Sequence, residues 1–277
     1  MMSALHDLIS LFPEAVLCGL IMSVLCSLIG VFVILKRVVF ISIALSETAA
    51  CGIAAAMLLQ VPPLAGAVVL TTAAVSLLSI DYEQARIPRD AVLGLVFLLA
   101  SGCSILLVAK SGFGLHEIKA MLYGDLILAN RADRNILLLI GIPALLWMIL
   151  FLRPLLYSFF DRETSLVMGI HCRFWELSFF LILGLVVSAA SKSGGALLVF
   201  CYLVVVPATA FLFSRNLTVI LFLSPVLGIL STLAGMIWSF QQDLPGNQTI
   251  IVFACLLCIL VSGAVFGIKR LSSSSES

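Results

Sequence analysis

The chain has 277 residues, of which 62% are hydrophobic and 10% charged, with a formal net charge of +1. Soluble domains carry roughly 25% charged residues and have no interior for so much apolar surface. The mean hydropathy of +1.25 therefore predicts an all-α, polytopic membrane protein with little room for a soluble domain. The charge balance holds no basic patch with interleaved aromatics, which argues against nucleic acid as a partner.

Residues 1–13 contain no Lys or Arg, so the positive n-region of a cleavable signal peptide is missing. A spanning helix needs about 20 apolar residues. Apolar runs are read at 14–35, 43–59, 64–80, 91–109, 135–152, 175–191, 194–213, 217–238 and 249–268. Lys36 and Arg37, the first positive charges, follow the first run and place the N-terminus outside.

Residues 41–59 read ISIALSETAACGIAAAMLL, and one of them is a carboxylate, Glu47. A carboxylate in bilayer hydrocarbon costs several kcal/mol on insertion scales, so something must offset it. The second and third runs are short and meet at QVPPLAG (60–66), where the proline pair breaks the helix. The pair is a tight hairpin or one re-entrant unit, so the count is about nine spans, possibly eight.

Two connections exceed a turn. Residues 110–134 fall outside. Residues 153–174, RPLLYSFFDRETSLVMGIHCRF, fall inside. In the second, Leu166, Val167 and Ile170 follow at i, i+1 and i+4 from one another, and Asp161 stands at an N-cap position. The pattern predicts a short amphipathic helix, either lying in headgroups or docking a cytoplasmic partner. With nine spans, Lys36, Arg37, Arg86, Arg89, Arg153, Arg162, Arg173, Arg215, Lys269 and Arg270 lie inside. Lys110, Lys119, Arg131, Arg134 and Lys192 lie outside. This asymmetry follows the positive-inside rule. Residues 1–270 form a single membrane domain, and 271–277 are expected to be a disordered cytoplasmic tail.

No G-x-x-x-x-G-K-[ST], H-E-x-x-H or G-x-S-x-G occurs. His6, His116 and His171 sit in tails or loops without a partner at metal-site spacing. The eight cysteines lie mostly in apolar runs and read as small hydrophobes. CLLC at 255–258 lacks the second pair that a zinc site needs.

Four segments in order resemble the permease subunit of the ABC-3 family of zinc, manganese and iron importers. They are GVFVILKRVVFISIALSETAACGIAAA (30–56), MLYGDLILA (121–129), FDRETSLVMGI (160–170) and GGALLVFCYLVVVPATAFLF (194–213). The resemblance implies a type II importer-like membrane domain that passes a divalent metal ion inward. The chain itself is then no enzyme and holds no permanent cofactor. It implies an ATP-binding subunit on the cytoplasmic side, an extracytoplasmic metal-binding protein, and a second permease chain, identical or paralogous. The family's cytoplasmic coupling segment maps onto 161–172, with Asp161, Glu163, Leu166 and Gly169 as its coupling residues.

The family places Asp and His four residues apart where this chain has Ile43 and Glu47, and Pro where it has Cys51. The candidate metal path is therefore Glu47, Ser46 and Cys51. A carboxylate suits hard divalent ions, and a thiolate favours zinc or iron. The competing reading pairs Glu47 with a base such as Arg37, and makes Cys51 a small packing residue. Asp125 is an outward candidate, or a helix cap. Pro207 reads as a hinge or as a plain kink. Two rival functions are a metal-chelate permease, which usually has about ten spans, and an ion-coupled secondary transporter, which needs repeated halves and more buried ionisable groups.

Overall fold

Hydrocarbon offers no hydrogen bonds to a backbone, so each apolar run closes its own as a helix. The computed structural model describes residues 8, 10–78, 89–110, 124, 126–160 and 171–274, and no strand occurs among them. The helices are α1 (Pro13–Leu35), α2 (Val39–Leu58), α3 (Pro63–Leu78), α4 (Arg89–Lys110), α5 (Arg131–Leu150), α6 (Leu152–Phe160), α7 (Cys172–Phe213), α8 (Leu217–Gln242) and α9 (Gly246–Ser274). Leu126–Leu128 form one 3₁₀ turn.

Seven of these helices are long and apolar enough to cross a membrane, and α3 is a shorter apolar helix. α7 contains two crossings. Its first turn is held near the end of α1, where Lys36 Nζ lies 2.6 Å from Glu176 Oε1. Lys192 Nζ lies 2.7 Å from Asp133 Oδ1 at the start of α5. Arg134, one residue on, pairs with Glu14 at the start of α1 at 2.8 Å. Leu203 then returns along α1, its backbone against Gly30. The chain reverses at Gly195, the non-helical residue inside α7, with φ 71° and ψ 164°. The count of apolar crossings is thus nine among the described residues, and residues 39–78 form a hairpin of two helices.

Two boundaries differ from expectation. α2 begins at Val39 rather than 43, because its first turn starts directly after the turn at Lys36-Arg37. Residues 153–160, read from sequence as the start of a connection, belong to α6. Ser158 and Leu155 of that helix are buried against the bundle. The short amphipathic helix expected around Asp161 to Ile170 lies outside the described residues, as do residues 275–277 of the tail.

The turns carry their own chemistry. Gln60 takes a left-handed φ of 55° after α2, and Val61 N–H donates to Ala56 O at 2.9 Å, closing the last turn. At the start of α5, Asn130 Oδ1 accepts from Ala132 N at 2.9 Å and Asp133 N at 3.1 Å, while Asp133 Oδ2 accepts from Asn130 N at 3.2 Å. That reciprocal cap satisfies otherwise orphaned N–H groups.

α1, α2 and α7 form the centre, with Met22, Leu45, Phe179 and Tyr202 fully buried. Between helices that all face hydrocarbon, small residues and buried hydroxyls set the packing. Thr71 and Ser188 hydroxyls lie 2.8 Å apart between α3 and α7, and Ser224 Oγ donates to Ser27 O at 3.2 Å between α8 and α1. Asn247 Nδ2 donates to Gly194 O at 2.9 Å, and its Oδ1 accepts from Leu126 N at 3.2 Å. At the Lys36 end, the ammonium sits 4.4 Å from the Phe159 ring centroid and 5.8 Å from that of Phe180, and Trp147, Phe151 and Trp175 are in mutual contact. Aromatic rings with a cationic tip fit the depth where hydrocarbon meets headgroups.

Candidate functional site

α2 is buried on most sides, packed against α3, α4 and α7. Its small residues allow this: a Cβ on Gly52 would strike the Gly66 carbonyl, and one on Gly66 would strike that of Gly52. One stripe stays open. Phe40 is 64% exposed, and Ile43 and Glu47 are partly exposed, at i, i+3 and i+7 on one helical face. Glu47 follows eight residues after the helix start, about 12 Å along the axis.

The Glu47 carboxylate forms no hydrogen bond or ion pair among the described residues. Arg37, the expected structural partner, is exposed in a left-handed turn with φ 58° and forms no ion pair with it. The acidic side chains at the bundle ends contrast with it. Glu14 holds Arg131 and Arg134, Asp133 holds Lys192, and Glu176 holds Lys36. Glu47 is a carboxylate within an apolar helix, on a face left partly open among the described residues.

Cys51 lies one turn from Glu47 on the same side and is buried, 7% exposed. Ser46 does not join them. Its side chain is fully buried and its hydroxyl donates to Ser42 O at 2.9 Å, turned about a quarter of the way round α2 from Glu47. Asp125, Asp161, Glu163, Leu166 and Gly169 lie outside the described residues. In α7 the backbone stays helical through Pro207, which is buried, and the break falls at Gly195. Among the described residues no three His, Cys, Asp or Glu side chains converge to hold a metal ion. A complete ion shell needs further ligands from outside these residues.

Sequence reasoning did not single out Cys103, which is exposed on α4, the helix packed against α2. Which α4 residues adjoin α2 has no signal in spacing along the chain, because the packing crosses between helices. The CLLC motif resolves differently: Cys255 hydrogen-bonds the buried Cys201 of α7, and both are free thiols.

Comparison with known proteins places this arrangement. The family model of the ABC 3 transport family matches residues 9–264. The manganese transport system membrane protein MntC of Halalkalibacterium halodurans is 30% identical over 254 residues, covering 91% of this chain and 86% of that one. The high-affinity zinc uptake system membrane protein ZnuB of Haemophilus influenzae is 28% identical over 258 residues, covering 90% and 95%. The solved structure of PsaBC from Streptococcus pneumoniae in complex with Fab superposes with a TM-score of 0.85 at 21% identity, covering 94% of this chain and 95% of that chain. With the family match spanning nearly all of α1 to α9, the chain belongs to the ABC 3 transport family.

Proposed function

We propose that this chain is the membrane permease of an ABC importer for a divalent metal ion, with ATP hydrolysed by a separate subunit. The single observation that carries the reading is the partly exposed carboxylate of Glu47 inside α2, without an ion pair among the described residues. An unpaired carboxylate at that depth is stabilised by water, by a base or by a passing cation. No base of this chain pairs with it among the described residues, and relatives across the whole length are named for manganese and zinc transport.

In this reading the Glu14 end faces outward and receives the ion from an extracytoplasmic metal-binding protein. The Lys36 end is cytoplasmic, as the distribution of Lys and Arg favours. A second permease chain covers the open stripe of α2 and completes the ion's shell, since one carboxylate and one thiol cannot. The segment 161–172 docks on the ATPase, with Asp161, Glu163 and Leu166 at the contact and Gly169 ending the helix. Pro207 lacks the N–H that would tie its own turn, so the descending half of α7 flexes there when the ATPase closes.

Glu47→Gln keeps size and hydrogen bonding but removes the charge. It should lower Mn²⁺ or Zn²⁺ uptake strongly while leaving the amount of protein in the membrane unchanged. Normal uptake by this variant would remove the carboxylate from the path. Loss of the protein from the membrane would make its role structural.

A further inference from the structure

We infer that Lys36 is a positioning residue that joins the ATPase-docking segment 161–172 to the helix carrying Glu47, so that movement of the segment becomes movement of α2. This rests on the permease reading above. It adds to that reading a residue that neither meets the ion nor belongs to the segment.

Two neighbouring bases at the end of α1 behave differently. Arg37 is exposed, as a long cationic side chain near headgroups is when it reaches for water and phosphate. The Lys36 side chain turns inward and is only 10% exposed. Its ammonium lies 2.6 Å from Glu176 Oε1 near the start of α7. It also lies 4.4 Å from the Phe159 ring centroid on α6 and 5.8 Å from that of Phe180 on α7. A desolvated ammonium is held by a carboxylate and by ring faces, so Lys36 is bound to α6 and α7 at once.

These partners bracket the docking segment. Phe159 stands two residues before Asp161, and Glu176 four residues after Cys172. The two flanks are also tied to each other. Ser158 Oγ donates to Cys172 O at 3.3 Å, and Phe159 meets Phe179 edge to face at 5.2 Å between centroids. The flanks therefore form one packed unit, and Lys36 reaches into it from the end of α1.

On its other side Lys36 is joined to α2 by a turn with little freedom. Arg37 N–H donates to Ile34 O at 2.9 Å and Val38 N–H to Val33 O at 3.1 Å, the paired bonds of a Schellman closure, with Arg37 left-handed at φ 58°. Ile41 N–H then donates to Val38 O at 3.0 Å, and α2 begins at Val39. A pull on the ammonium thus passes through backbone that is already hydrogen-bonded. Glu47 stands about 12 Å further along α2. When the ATPase shifts 161–172, Phe159 and Glu176 carry Lys36, and α2 follows.

The test uses the assembled transporter with its ATPase in proteoliposomes, and reads Mn²⁺ and Zn²⁺ uptake per ATP hydrolysed. Lys36→Met keeps the length of the side chain and removes the charge. Lys36→Met/Glu176→Gln also leaves no stranded carboxylate. Both should lower uptake per ATP about tenfold, within the usual range of coupling between sites, while ATP hydrolysis continues. Lys36→Arg still pairs with a carboxylate and stacks on a ring, and should keep most of the ratio. Lys192→Met breaks an ion pair of similar length at the opposite end, and should lose stability with the ratio unchanged. A wild-type ratio in the double variant would overturn the proposal. Loss of the double variant from the membrane would make Lys36 a folding residue and overturn it too. So would an equal fall in Lys192→Met, which would reduce the effect to a general loss of rigidity. None of these outcomes touches the permease reading, which fails if Glu47→Gln takes up both ions normally.

Discussion

Gly52 of α2 and Gly66 of α3 bring two helix backbones into direct contact, each lying where the other's side chain would be. A Cβ on Gly66 would also meet Ala56 Cβ at 2.6 Å. The contact holds the α2–α3 hairpin shut and fixes the rotation of α2, which decides that Glu47 looks away from the seam while Cys51, one turn on, is buried. Gly52→Val should therefore destabilise the protein by about 1–3 kcal/mol through overpacking. It should also lower uptake beyond what the reduced protein level explains. Thermal unfolding of the purified protein, read beside uptake per molecule, checks both. A wild-type melting temperature would mean that the hairpin can open without cost.

Gly195 reverses the chain between the two halves of α7 at φ 71° and ψ 164°, a region essentially reserved for glycine. Gly195→Ala should cost about 1–3 kcal/mol. Gly263→Ala, where the added Cβ meets nothing within 4 Å, should leave stability unchanged or slightly improved. Melting curves of the two variants side by side test the assignment. Equal behaviour would show that the reversal tolerates a side chain.

Lys192 and Asp133 tie the turn at Gly195 to the cap of α5, with side-chain exposures of 24% and 11%. Lys192→Met strands a mostly buried carboxylate, and partial solvent access keeps the loss near 1–3 kcal/mol rather than the larger value of a sealed pair. Lys192→Arg should recover most of it. A melting temperature unchanged by Lys192→Met would show that the charge finds enough water without its partner.

The direction of insertion is open to chemical labelling. In a cysteine-free background, Leu115→Cys should react with an impermeant maleimide in cells whose outer face is accessible, and Ser165→Cys should react only after permeabilisation. The opposite pattern would invert the topology and move the proposed ATPase contact to the other face. Gly169→Val then tests the coupling segment: transport should fall while ATP hydrolysis by the assembled complex continues. Unchanged transport would remove the segment from coupling.

The sequence by itself determined the medium, the helical class and the approximate limits of the crossings, and left their number at nine or eight. These follow from hydropathy and length, which are local properties: a run of about 20 apolar residues must satisfy its own backbone and can do so only as a helix. The face shared by Ile43, Glu47 and Cys51 was equally legible, since a spacing of four residues repeats on one side of a helix. Tertiary structure decided what surrounds those faces. It left Glu47 without an ion pair among the described residues and turned Ser46 into the core. It also put the reversal of α7 at Gly195 and paired Lys192 with Asp133. Each of these depends on how helices distant in sequence rotate and approach one another. That is set by small residues such as Gly52 and Gly66 meeting across an interface, and a contact between helices has no fixed spacing along the chain.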